Sequence, residues 1–161
     1  MNLFKKNDAS LSKKLNGALT DLSVDIFGYE KMVTKNIINR TDLISKRLRV
    51  PRERLYIRIF QKNNKIKSFL YDQSKPLAAI PTEELAYFFI EEPMAKLNNT
   101  QNKISHSIKQ YLKEFANANR IHEESVRVWI HINEEKVVVR AFQDEEFIKA
   151  IPLNSLIKYF K

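Results

Sequence analysis

The chain contains no cysteine and only two glycines in 161 residues. Without cysteine there is no disulfide, no thiolate nucleophile and no thiolate metal ligand. That composition fits a reducing, cytoplasmic setting. Gly17 and Gly28 stand alone, whereas phosphate-cradling loops need several positions of positive φ or close backbone approach. Both common nucleotide-binding loops are therefore excluded. No apolar run approaches the roughly 18 residues of a membrane span. Leu3-Phe4 is followed at once by Lys5-Lys6, which is not a secretory signal pattern.

Catalytic constellations are equally scarce. The histidines are His106, His122 and His131; none stands four residues from another, and no H-E-x-x-H spacing occurs. Glu91-Glu92, Glu123-Glu124 and Glu134-Glu135 are adjacent pairs, which do not normally converge on one substrate as an acid/base pair must. Asp42, Asp72 and Asp144 are isolated, so a two-metal centre would need distant contributions. The sequence reads as a non-enzyme without metal, cofactor or small-molecule substrate.

What is present is apolar content of 43%, aromatic content of 11% and a net charge of +9. The first two suffice for a folded core. The third suggests a polyanionic partner, with plain solubility as the simpler explanation. Residues 1–50 carry ten Lys/Arg against five Asp/Glu, so the excess is N-terminal. Its densest point is SKRLRVPRER, with Lys46, Arg47, Arg49, Arg52 and Arg54 against Glu53 alone.

Sliding the chain against itself by 71 residues lays 49–89 over 120–160. Identities fall at Arg49/Arg120, Glu53/Glu124, Ile59/Ile130, Lys65/Lys136, Ala79/Ala150, Ile80/Ile151, Pro81/Pro152, Leu85/Leu156 and Phe89/Phe160. LYIRIF and VRVWIHI alternate with period two, as half-buried strands do. Each is followed by a polar turn (QKNN or NEE), a second alternating run (KIKSFLY or KVVVRAF), a short apolar segment ending in Ile-Pro, and a helix. Proline suits the first helical turn, and Thr82 or Asn154 is a candidate local cap. Upstream, Ile37, Thr41, Ile44 and Leu48 fall at helical spacing, as do Ile104, Ile108, Leu112 and Phe115.

The predicted fold class is α+β, a diverged tandem repeat. Each unit reads helix–β-hairpin–short strand–helix, giving an antiparallel sheet covered by helices. The expected organisation is an N-terminal helical segment at 1–30, a first unit at 31–90, a polar linker at 91–102 broken by Pro93, and a second unit at 103–161. In the N-terminal segment Leu11, Leu15, Leu19 and Leu22 share one helical side. Asp21 and Asp25 argue against a membrane-surface role for that helix.

Strand alternation sorts the hairpin residues into two faces. Leu55, Ile57, Ile59, Ile66, Ser68 and Leu70 form the core side of the first unit. Val126, Val128, Ile130, Ile132, Val137, Val139 and Ala141 form that of the second. The opposite face receives Tyr56, Arg58, Phe60, Lys65, Lys67, Phe69 and Tyr71 from the first, and Arg127, Trp129, His131, Lys136, Val138, Arg140 and Phe142 from the second. Flat rings mixed with cations suit single-stranded nucleic acid, whose bases stack while its phosphates meet Lys and Arg. The competing use is a second packing surface, with Arg and Lys stems lying over apolar area.

At the level of element order, the unit LYIRIF, KIKSFLY, LAAIP, TEELAYFF resembles the curved-sheet-plus-helix units of PUR- and Whirly-type single-stranded nucleic-acid binders. Those use four strands before the helix, against three here. The helix-first order is also similar to double-stranded-RNA-binding domains. Their last helix opens with a lysine-rich motif, where Thr82-Glu83-Glu84 and Leu153-Asn154-Ser155 stand here.

The expected function is non-catalytic nucleic-acid binding, DNA or RNA, with single strands favoured. Tyr56, Phe60, Phe69, Tyr71, Trp129 and Phe142 are the candidate stacking rings. Lys46, Arg47, Arg49, Arg52, Arg54, Arg58, Lys65, Lys67, Arg127 and Arg140 are the candidate phosphate contacts. The alternative is a structural or adaptor protein whose aromatic faces meet a protein partner or a second copy, as in a dimer. Duplex binding through a helix and the 46–54 cluster ranks third.

Overall fold

The computed structural model describes the backbone of residues 11–90 and 95–160, and the side chains of 28–90 and 95–160. The side chains of Leu11, Leu15, Leu19 and Leu22, and Pro93 with its neighbours at 91–94, lie outside the described residues. Helix α1 (Leu11–Leu48) runs unbroken across position 30. The expected boundary at residue 30 thus falls within one continuous helix. Val33, Ile37 and Thr41 are buried along it, while Leu43 and Leu48 are exposed. It ends where Arg49 turns left-handed (φ 58°) and the Val50 N–H donates to the Ser45 carbonyl at 3.2 Å. This is a Schellman closure, with Lys46 and Arg47 in the last turn, where cations complement the helix dipole.

The chain then makes a 3-10 turn (Arg52–Arg54) and a hairpin of β1 (Leu55–Lys62) and β2 (Lys65–Asp72). A third strand, β3 (Lys75–Ala79), and a helix, α2 (Thr82–Phe89), complete the first half. Helix α3 (Asn98–Asn119) takes up residues 98–102 of the expected linker. It closes as α1 does, with Arg120 at φ 56° and the Ile121 N–H on the Ala116 carbonyl at 3.0 Å. A 3-10 turn (Glu123–Ser125), β4 (Val126–Asn133), β5 (Lys136–Gln143), β6 (Glu146–Ile151) and α4 (Leu153–Ile157) follow. Pro81 and Pro152 are themselves the N-caps of α2 and α4, and neither has a side-chain cap hydrogen bond. Thr82 and Asn154 are therefore not caps; a proline there presets the backbone and has no N–H to satisfy.

Both hairpin turns place two consecutive residues at positive φ, Asn63-Asn64 in one and Glu134-Glu135 in the other. Two-residue loops of this kind match the strand twist. Asparagine tolerates the left-handed region, whereas glutamate is held there against steric cost. Glu134→Asn is accordingly expected to stabilise the protein by about 1 kcal/mol. A urea midpoint that stays put or falls would show that the turn is not strained.

The six strands form one antiparallel sheet in the order β3-β2-β1-β4-β5-β6. The two hairpins meet along β1 and β4, with Ile57 opposite Ile130, Arg58 opposite Trp129 and Ile59 opposite Val128. Register irregularities occur at Leu70/Tyr71 and Ala141/Phe142. The inner face carries Leu55, Ile57, Ile59, Leu70, Val126, Val128, Ile130, Ile132, Val139 and Ala141, all buried. Val33 and Ile37 of α1, Leu85, Ala86, Phe88 and Phe89 of α2, and Ile104, Ile108, Leu112 and Ala116 of α3 pack over that face. Leu156, Ile157 and Phe160 close the far end. Two inner-face polar residues are tied down: Ser68 Oγ donates to the Ile80 carbonyl, and Gln61 Nε2 to Glu123, both at 2.9 Å. The described core residues of the helices pack on this inner face, and no described element is packed over the other face of the sheet.

Candidate nucleic-acid interface

Pairing registers order the outer face into rows that cross the strands. The central row runs Phe69–Arg58–Trp129–Arg140, ring and cation alternating over four adjacent strands. On one side Lys67 stands opposite Phe60, and Arg127 opposite Phe142, which faces Phe147. On the other side Tyr71 stands opposite Tyr56, and His131 opposite Val138. All six predicted stacking residues are thus on one continuous surface, and each is half-buried.

These rings pack on one another and on arginines. Phe60 and Phe69 stack with centroids 5.8 Å apart and planes at 13°. Trp129 and Phe142 stack at 4.2 Å and 28°. The Arg58 guanidinium lies 3.8 Å from both the Tyr71 and the Trp129 ring centroids, and that of Arg127 lies 4.5 Å from Phe60. Such cation–π contacts order the rings before any ligand arrives. Tyr56 leans on His131 at 4.4 Å and meets Trp129 edge-on at 5.8 Å. Phe147, 53% exposed, packs edge-on against Phe142 at 5.6 Å. Phe147 extends the aromatic surface beyond the residues expected from sequence. Its face was not legible because the irregularity at Ala141/Phe142 breaks the period-two count before β6.

The ten predicted phosphate contacts divide into groups with different surroundings. Lys46, Arg47 and Arg49 are exposed, at the end of α1 in the helical layer. Arg52 is ion-paired with Asp42, Glu53 and, across the sheet, Glu135. Arg54 makes a two-pronged contact with Asp72 at 2.9 and 3.0 Å. Arg58 is only 11% exposed in its side chain and sandwiched between rings, with Glu145 at 3.9 Å. Arg127 donates to the Glu124 carbonyl at 2.6 Å and approaches Asp144 at 3.7 Å. Lys65 and Lys67 remain exposed at the edge of the face, and Arg140 is half-buried within it. The structure therefore brings Arg58, Lys65, Lys67, Arg127 and Arg140 together with the rings. The 46–54 cluster is not brought there; Arg52 is paired with Asp42, Glu53 and Glu135, and Arg54 with Asp72.

Several polar atoms on this face are shielded from solvent and have no hydrogen-bond partner among the described residues: Arg58 Nε, Trp129 Nε1 and both ring nitrogens of His131. His131 is 7% exposed. Burial, with the charge of Arg140 adding to it, lowers its pKa from 6.5 to about 4. The folded protein thus resists protonation while the unfolded chain accepts it. Stability should be unaffected above the unfolded pKa near 6.5 and decline as pH falls toward about 4. At pH 4.5 this should amount to about 2–3 kcal/mol. Denaturant titrations of wild type and His131→Phe at pH 7 and 4.5 test it: equal acid losses in both would clear His131 of the role.

No described helix is long and apolar enough to cross a membrane. Among the described residues no group of three His, Asp or Glu is placed to hold a metal ion. Comparison with known proteins found no matching family, curated protein or solved structure.

Proposed function

We propose that this protein binds single-stranded nucleic acid, without catalysis, on the outer face of its sheet. The observation that carries the reading is the central row Phe69–Arg58–Trp129–Arg140, in which rings and cations alternate across the junction of the two hairpins. Bases have π-faces that stack on such rings whatever their identity, at about 1–3 kcal/mol per base. Arg58, Arg127 and Arg140 place cations among the rings, and the exposed Lys65 and Lys67 add two more toward the edge of β2. A duplex offers its phosphates but not its base faces. The preference should accordingly be for unpaired strands, with little sequence discrimination.

The same reading treats the two halves as diverged copies of one unit. Supporting it, helix closures at Arg49 and Arg120, hairpin turns at 63–64 and 134–135, and positive-φ residues Gln73 and Asp144 all lie 71 residues apart. So do the irregularities after Leu70 and Ala141. Arg58 and Trp129, paired at the β1–β4 junction, are also 71 positions apart. Copies related by a two-fold through that pair would place both outer faces on one platform, with double the span of either.

The competing use of this surface is contact with a protein or a second copy. The exposed Phe147 ring favours it. Fluorescence anisotropy of a labelled 20-mer at two salt concentrations, with duplex as competitor, separates the readings. Micromolar or tighter binding, salt-sensitive and resistant to duplex, is expected. No binding at low salt would defeat the proposal and turn attention to a protein interface.

A further inference from the structure

β3 pairs with β2 only from Phe69 onward, so the edge of β2 at Lys65–Lys67 is left open by β3. Beside that edge lies a cleft of about 380 Å³, within the size range of small-ligand sites. Lys65 and Lys67 line it from β2, Thr82 from the start of α2, and Ser105, His106 and Lys109 from α3. No carboxylate is among the lining residues. Lys109 Nζ is held by the Asn64 carbonyl at 3.1 Å, which leaves it further N–H groups to donate. The Ser105 hydroxyl oxygen is shielded from solvent and has no partner among the described residues. Thr82 opens α2, whose first-turn N–H groups no side chain caps and which carries Glu83 and Glu84 outside the cleft lining.

The positions related by the 71-residue offset supply an internal control. At the positions 71 residues away, Val138 stands for Lys67, Ile38 for Lys109, Leu153 for Thr82 and Thr34 for Ser105, while Lys136 stands for Lys65 and Lys35 for His106. The clefts there are lined by Glu30 and Glu135 together with Lys31, Lys35 and Lys136. The equivalent places in the fold thus differ in charge: carboxylates join the lysines there, and none lines the cleft beside β2.

We infer that the cleft binds a phosphate group of a nucleic-acid strand that passes from the outer face over the edge of β2. The inference rests on the proposed function, because Lys67 both lines the cleft and stands opposite Phe60 on the outer face. Ammonium groups, hydroxyls and helix N–H groups are a chemistry that selects phosphate oxygens. The cleft fixes the path of the backbone, while the rings hold the bases.

Two titrations test this on the full chain. Inorganic phosphate is followed by amide chemical shifts, and a single-stranded 20-mer by anisotropy across a salt series. Each is run on wild type and on the pair Lys67→Val, Lys109→Ile, which installs the residues found 71 positions away. Lys67→Gln with Lys109→Gln serves if that pair misfolds. Phosphate should shift the amides of Thr82, Ser105 and Lys109 in wild type and not in the variant. The variant should bind the 20-mer about tenfold more weakly, with a salt slope smaller by about 1.4, two phosphate contacts having been lost. No shifts together with an unchanged slope would overturn the site. Shifts with an unchanged slope would assign the cleft to a free phosphate compound and overturn the strand path. Shifts in a protein that binds no oligonucleotide would likewise overturn the strand path, and would count against the outer-face function while leaving an anion site.

Discussion

Replacing Phe60 and Phe69 together by alanine is expected to weaken single-strand binding by roughly ten- to a hundredfold, about one stacked base lost. The two rings lie nearly parallel on neighbouring strands, beside Lys67 and below the Arg127 guanidinium. They are the ring pair next to the open edge of β2. Both are only half-buried, and no described element packs over them, so the fold should survive their loss with a modest drop in melting temperature. Affinity falling while secondary structure and molecular mass hold would place the rings in contact with the ligand. Were the face instead an interface between copies, the same double variant would change the mass or collapse stability and leave binding alone.

The core makes the opposite prediction at Phe89. Its ring is fully buried and meets Phe160 edge-on at 4.9 Å. It sits in α2, and the Tyr29 hydroxyl of α1 donates to its carbonyl at 3.2 Å. Burial holds that phenol protonated well above its ordinary range. Phe89→Ala opens a cavity where the first half's helices, the sheet and the C-terminal turn converge. The expected cost is about 3–5 kcal/mol, a large part of the total stability of a domain this size. Because the buried side chains of both halves form one continuous core, unfolding should remain a single transition shifted to lower denaturant. A variant that loses only one transition of two would mean that the halves fold separately.

The outer face was legible in the sequence because strand side chains alternate, and LYIRIF and VRVWIHI keep strict period. Tyr56, Arg58 and Phe60 could be separated from Leu55, Ile57 and Ile59 by parity alone, and they lie on opposite faces of β1. The joining of the hairpins along β1 and β4 was not legible, since it depends on pairing residues 71 positions apart and leaves no local signal. The expected boundary at residue 30 followed the reach of the repeat and not a helix-stop signal, so the continuity of α1 across it was not legible. The fate of the basic cluster was hidden for a third reason. Arg52 meets Glu135 and Arg54 meets Asp72 only after the sheet has formed, so sequence density of charge overstated the charge left free. The cleft beside β2 likewise draws its residues from three separate segments.

Trp129 is the only tryptophan of the chain and stands in the central row of the outer face, flanked by Arg58 and Phe142. Its emission therefore reports on the surface proposed to take the bases. The direct test is to titrate the protein with unlabelled single-stranded 20-mer and follow Trp129 fluorescence beside the anisotropy of a labelled copy. The account predicts saturable quenching with the same midpoint as the anisotropy. Binding seen by anisotropy with Trp129 emission unchanged through saturation would place the nucleic acid elsewhere and contradict it.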